Sequence, residues 1–214
     1  TKLHGEVNSG SERATLQRDL DRLSNWSRQW RMTFNIDKCK VLHIGRGNQR
    51  YGYTMDGCTL EGVQKESDLG VEICEDMKSS CQCSRAYSKA NQILGMIKRT
   101  IVNKTPQILV NLYKSLVRPH LEYCSPVWSP HYAKDKILLE RVQHRFTRMI
   151  PELRDMKYED RLNILGLWTL EERRNRADLI EVYKMFHGGS VPVETMFQRS
   201  LDKRTRGHTL KLQR

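Results

Sequence analysis

Ala86-Tyr-Ser-Lys-Ala90-Asn-Gln-Ile93-Leu94-Gly-Met-Ile97-Lys98-Arg99-Thr-Ile101, followed by Thr105-Pro106-Gln-Ile108-Leu109-Val-Asn-Leu112-Tyr113-Lys114-Ser-Leu116-Val117, is the stretch on which the fold turns. Apolar residues recur in it at intervals of three and four, first through Ala86, Ala90, Ile93, Leu94, Ile97 and Ile101, then from Ile108 to Val117. That period predicts two amphipathic helices. The second opens with a capping Thr105 and a first-turn Pro106, whose missing N–H costs nothing there. Charge marks the same stretch. From Met77 to Leu121 the sequence has eight Lys or Arg and no acid.

Toward the N-terminus the period changes. Phe34, Ile36, Val41, Leu42 and Ile44 are strand formers closed by Gly45-Arg-Gly47, and Leu69-Gly-Val-Glu-Ile73 reads as a further short strand. Asp56-Gly57, between Tyr51–Met55 and Cys58–Leu60, suits a two-residue hairpin turn with positive φ. Ahead of these, Ser9-Gly-Ser-Glu12 fits a capping box, and Leu16, Leu20, Leu23 and Trp30, with Trp26 beside them, form a helical stripe expected in the core. Residues 33 to 74 therefore predict a small, mostly antiparallel sheet with one helix packed on it.

Toward the C-terminus, Pro119, Pro126 and Pro130 are expected to break the chain around Tyr123, Trp128 and Tyr132. These aromatics read as buried anchors, with base stacking the other reading. A helix follows on Ile137, Leu138, Val142, Phe146 and Met149, then a short one through Tyr158 and Leu162 to Gly166. Thr169-Leu-Glu-Glu172 is a second capping box, opening a helix through Ala177, Ile180 and Tyr183 that stops at Gly188-Gly189. Beyond Ser190 the pattern weakens into a basic tail containing Arg199, Lys203, Arg204, Arg206 and Lys211, expected to be loosely ordered. The fold class predicted is α+β: residues 1–75 a small sheet and helix, 76–189 an all-α domain, 190–214 the tail.

The 214 residues carry a formal net charge of +12, with 38% apolar and 29% charged residues, which suits a thin-cored, helix-rich protein. Thr1 to Glu75 holds 11 Lys or Arg against 11 Asp or Glu, so the whole excess lies after Glu75. A positive field over that length attracts a polyanion, most economically nucleic acid; a solvated basic face is the other reading. No apolar run nears the roughly 18–20 residues that cross a bilayer. Thr-Lys-Leu-His-Gly is no secretory signal and reads as a chain entered in mid-domain. The six cysteines contain no Cys-x-x-Cys and no second pair at zinc spacing, so free thiols in a reducing compartment are expected and no metal site.

Three further segments, in order, carry a family resemblance. Met32-Thr-Phe-Asn-Ile-Asp-Lys-Cys-Lys-Val-Leu-His-Ile-Gly45 is similar to the palm strand motif Asn-x-x-Lys, with Asn35 and Lys38 in the matching places. Lys65-Glu-Ser-Asp-Leu-Gly-Val71 looks like a primer-grip hairpin, and Leu112-Tyr-Lys-Ser-Leu-Val-Arg-Pro-His-Leu-Glu-Tyr-Cys124 like a thumb signature, supported by Leu139-Glu-Arg-Val-Gln143 and Arg204-Thr-Arg-Gly-His208. Together they resemble the reverse transcriptase of LINE-type (non-LTR, jockey-like) retrotransposons over essentially the whole chain.

The resemblance implies a palm remnant followed by a thumb, cut from an RNA-directed DNA polymerase. The family's catalytic Ala-Asp-Asp stands just before a Thr-Lys-Leu like residues 1–3, so the carboxylates that hold Mg²⁺ in the parent are expected ahead of Thr1. Asp19, Asp21 and Asp37 read as salt-bridged or exposed charges, and the chain alone is expected to be inactive as a polymerase and to need no cofactor. Lys38 is either the residue near the incoming nucleotide's phosphates or a plain surface lysine. Leu69, Gly70 and Val71 would form the primer grip, though a tight turn would use Gly70 as well. Arg85, Lys89, Lys98, Arg99, Lys104, Lys114 and Arg118 would meet an RNA or DNA template–primer, with the polymerase's N-terminal half as the other partner. Nuclear or cytoplasmic residence follows from the resemblance, not secretion. A non-catalytic basic helical module that binds nucleic acid, or an inert product of a decayed element, are the alternatives.

Overall fold

The computed structural model describes residues 1–200 and 210–213. It mixes helix with a little strand, 54% against 10%, and so belongs to the α+β class. Two compact units divide the chain, Thr1–Arg85 and Ala86–Arg214.

In the first unit, α1 (Gly10–Gln29) begins at the expected capping box: Glu12 N–H bonds the Ser9 hydroxyl and the Glu12 carboxylate returns to the Ser9 N–H. Strands β1 (Lys40–Leu42) and β4 (Glu61–Val63) pair in parallel, while β2 (Thr54–Met55) with β3 (Cys58–Thr59) and β5 (Lys65–Asp68) with β6 (Val71–Cys74) are antiparallel hairpins. The single sheet expected from the sequence is thus three two-stranded pairs. Asp56 and Gly57 both take positive φ in the β2–β3 turn, as the dipeptide predicts. Gln17 on α1 acts as a surrogate strand neighbour, its amide donating to Thr54 O at 2.8 Å and accepting from Thr54 N at 3.0 Å. Tyr53, Met55 and Leu60 form the core here, with Leu16, Leu20, Leu23, Phe34 and Val41 packed round it.

Several expectations change in this unit. The strand-forming run from Phe34 to Ile44 yields only β1, because Ile36–Lys38 closes a 3₁₀ turn instead. Trp26 and Trp30, assigned to the core, are exposed, since the stripe is buried only where β2 and its neighbours cover it. Cys74 and Cys81 are joined in a disulfide, correcting the expectation of six free thiols; Cys39, Cys58, Cys83 and Cys124 remain free.

The division between units falls inside α2 (Ser80–Thr100). In the second unit α3 (Pro106–Leu112), a π-helical turn (Tyr113–Val117) and α4 (Arg118–Glu122) run on as consecutive helical segments. Pro119 therefore does not break the chain, as it was expected to. The π turn precedes it, where a proline ring would otherwise press on the carbonyl of the previous turn. Leu109, Tyr113, Val117 and Leu121 are all fully buried, a strict repeat of four. In a pure α-helix such a repeat drifts by about 40° per step, and the wider π turn offsets that drift.

Next come α5 (Ser125–Trp128), α6 (Ala133–Thr147), α7 (Tyr158–Leu165) and α8 (Leu170–Phe186). Gly166 ends α7 in the left-handed conformation, and the Thr169/Glu172 capping box starts α8. Leu139, Val142 and Phe146 of α6 are buried, Phe146 stacked on Tyr113 with ring centres 4.1 Å apart. Trp128 is buried and its indole donates to Tyr123 O, whereas Tyr123 and Tyr132 are exposed and so are not the anchors expected. Of the tail, Val193–Thr195 forms a 3₁₀ turn and Arg199 bridges to Leu212. Lys203, Arg204, Arg206 and the Arg204–His208 match lie outside the described residues. Among the described residues no helix is long and apolar enough to cross a membrane.

Candidate nucleic-acid interface

The second unit holds a cavity of about 1170 Å³ formed by the end of α2, the segment after it, α6 and the Pro151–Met156 segment. Lys98, Lys104, Arg141, Arg145, Arg148 and Arg154 line it, with Glu140 and Asp155 the acids on the same wall. Among the described residues none of these six cations makes an ion pair; Arg145 is held by Asn91 Oδ1 at 3.2 Å. Six positive heads against two acids leave an excess of positive charge, and an anion relieves the repulsion among them.

A buried polar network lies behind the cavity wall. Gln143, fully buried, accepts from the Tyr113 hydroxyl at 2.7 Å and donates to Trp168 O at 2.9 Å and the Tyr158 hydroxyl at 3.0 Å. Glu140 accepts from the Tyr158 hydroxyl and from Leu170 N at 3.0 Å, so its charge sits at the first turn of α8. Burial raises the Glu140 carboxyl above its ordinary range, and the Tyr158 and Leu170 hydrogen bonds work against that. Each member of Leu139-Glu-Arg-Val-Gln143 thus has a place: core, network, cavity, core, network.

Tyr158 also has an imidazole and a guanidinium against its ring. His144 stacks on it with ring centres 3.5 Å apart, and the guanidinium of Arg161 lies 5.4 Å from its ring centre. Arg161 is buried, with Nε and Nη1 lacking a hydrogen-bond partner. Burial, then the charges of Arg161 and Arg148, holds His144 below the usual histidine value. The imidazole therefore stays neutral at neutral pH, and the arginines supply the field.

Of the seven cations predicted from the sequence, Lys98 and Lys104 line the cavity. Lys89, Arg99 and Lys114 are exposed and make no ion pair among the described residues. Arg118 is committed to Glu122, which also holds Arg173. Arg85 lies in the first unit and donates to Ser67 Oγ at 2.9 Å. Arg141, Arg145, Arg148 and Arg154 were missed. The signal was there, since Arg141, Arg145 and Arg148 recur at four and three on one face of α6, but nearby acids hid it in a count along the chain.

In the first unit, Lys38 ends the Ile36–Lys38 3₁₀ turn rather than starting a strand, and its side chain is exposed. Leu69 and Gly70 are not strand residues: Asp68 pairs with Val71, and the two between them form the tight turn, both with positive φ. Val71 is buried, while Leu69 is 86% exposed at φ +47°. A leucine both exposed and left-handed breaks two preferences at once.

Compared with protein-family models, curated proteins and solved structures, the chain matches none.

Proposed function

We propose that this chain is the palm-end and thumb segment of a LINE-type RNA-directed DNA polymerase, and that its own activity is to hold template–primer nucleic acid by the phosphate backbone. The observation that carries the reading is the cavity lined by six cations with no ion pair among the described residues. Four of them are arginines, whose planar forks match phosphate oxygens two at a time. In the same reading, residues 1–75 form the palm end with Leu69, Gly70 and Val71 as primer grip, and 76–189 form the thumb. The exposed, strained Leu69 at the hairpin tip supports a contact role, because such outliers persist where function offsets their cost.

The resembling polymerases use Mg²⁺ held by carboxylates to activate the primer hydroxyl and steady the leaving phosphate. Among the described residues no group of three or more His, Cys, Asp or Glu is placed to hold a metal ion. Asp19 pairs with Arg22 at 3.1 Å and Asp21 accepts from Gln17 at 2.9 Å. These residues do not fit a two-metal centre, so no step through magnesium is assigned to them; Lys38 alone could offer a proton or a charge.

The test is anisotropy of a labelled RNA–DNA template–primer with an unpaired template overhang, titrated with the full chain from 50 to 200 mM salt. Phosphate contacts release counterions, so affinity falls linearly on logarithmic axes. A flat response, or no binding at low salt, removes the proposal.

A further inference from the structure

We infer that the cavity of the second unit takes a single unpaired strand, the template overhang or a free strand, and not the body of a duplex. This rests on the nucleic-acid reading above and adds what form of nucleic acid the site accepts.

Size is the first reason. A volume of about 1170 Å³ equals a sphere about 13 Å across. A duplex whose two grooves are cut roughly 8.5 and 7.5 Å deep is broader than that. One strand is not. Six cations with two acids on the wall leave a net charge of +4, enough to meet up to four phosphates.

The second reason is the chemistry of the lining. Ile137, Met149, Pro151 and Met156 alternate with the cations. Ile137 was expected in the core of α6, yet it is 54% exposed, and Met156 is 39% exposed. A duplex turns phosphate and sugar outward and would leave these apolar groups uncovered. An unpaired strand has free base faces to lay on them, and arginine guanidinium planes stack on bases as well. The aromatic rings nearby, Tyr158 and His144, are stacked on each other, so aliphatic and thioether surfaces are left to meet the bases.

The experiment uses the full chain, three labelled ligands (a single-stranded RNA of about a dozen nucleotides, the DNA of the same sequence and the blunt RNA–DNA duplex) and a nucleoside triphosphate as unlabelled competitor. Both single strands are expected to bind more tightly than the blunt duplex. Up to four phosphates at the single-strand coefficient give a logarithmic salt slope no steeper than about −3. Replacing both Arg145→Gln and Arg148→Gln removes two such contacts and lowers single-strand affinity about 25-fold at 0.1 M salt. Both side chains are exposed, so folding is not at issue. Ile137→Glu lowers single-strand affinity and leaves duplex binding unchanged, and Arg18→Glu on α1 changes neither.

A blunt duplex that binds as tightly as the strand, with the same loss in the double variant, overturns the inference while the proposed function stands. Displacement of the strand by equimolar triphosphate overturns it too, since the site would then be a small-polyanion pocket. Failure of every ligand to bind ends both.

Discussion

Gln143→Leu is the most direct probe of the network that holds α6 against α7 and α8. The side chain is fully buried and joins four groups: the Tyr113 hydroxyl, the Tyr158 hydroxyl, Trp168 O and the Glu140 carboxylate. Leucine fills similar space but accepts and donates nothing. The Tyr113 hydroxyl, itself fully buried, and Trp168 O each lose a partner at roughly 1–3 kcal/mol apiece. Burying an apolar side chain offsets about 1–2 kcal/mol of this, leaving a net loss of about 1–4 kcal/mol. Tyr113→Phe alone strands the Gln143 carbonyl and costs about 1–2 kcal/mol. Combined with Gln143→Leu it costs less than the sum, because both partners of one hydrogen bond are then gone. Equilibrium urea unfolding measures this, in a background with Trp26→Phe and Trp30→Phe, so that Trp128 and Trp168 report on the second unit alone. The midpoint is expected to fall with the slope unchanged. A Gln143→Leu variant within about 0.5 kcal/mol of its parent, or singles that add without coupling, would refute the network as a source of stability.

Two other predictions concern backbone and charge. Leu69→Asn relieves a left-handed leucine in a turn that prefers Asn-Gly, and raises the stability of the first unit by about 1 kcal/mol in thermal unfolding; destabilisation would show that the tip is not a strained two-residue turn. His144 is held below its unfolded value near 6.5, so the unfolded chain takes up the proton first as pH falls. The stability it lends is full above about pH 6.5 and declines through the depressed folded value. Glu140, with its value raised, runs the opposite way just above its ordinary range, so the comparison is between the parent and His144→Gln. The parent should lose more melting temperature than the variant between pH 7.5 and 5.5; equal losses would mean that the imidazole is not buried against the arginines.

Much of the chain could be read residue by residue, because it depends on neighbours only a few positions away. Both capping boxes, the Asp56-Gly57 turn, the Gly166 stop and the helix carrying Val142 and Phe146 are local matters of hydrogen-bond reach and φ, and they stand where the sequence puts them, although that helix buries Leu139 where Ile137 and Leu138 were expected. The strands were less legible. A strand former needs a partner, and only Lys40–Leu42 of the run from Phe34 to Ile44 finds one, in Glu61–Val63. Likewise Leu69-Gly70 is a turn because Asp68 pairs with Val71, a choice made by β5 and β6 together.

The site was half visible. Basic residues drew attention to α2, but their count along the chain could not tell Lys98 and Lys104, which reach the cavity, from Arg118, which Glu122 neutralises. Composition alone determined that this protein is basic, helical and lacking an acid from Met77 to Leu121. Tertiary packing alone brought Arg141, Arg145 and Arg148 beside Lys98 and Lys104 and turned Ile137 outward among them. Coulomb energy depends on distance in space, and Lys98 and Arg141, which meet at the cavity, stand 43 positions apart in the chain.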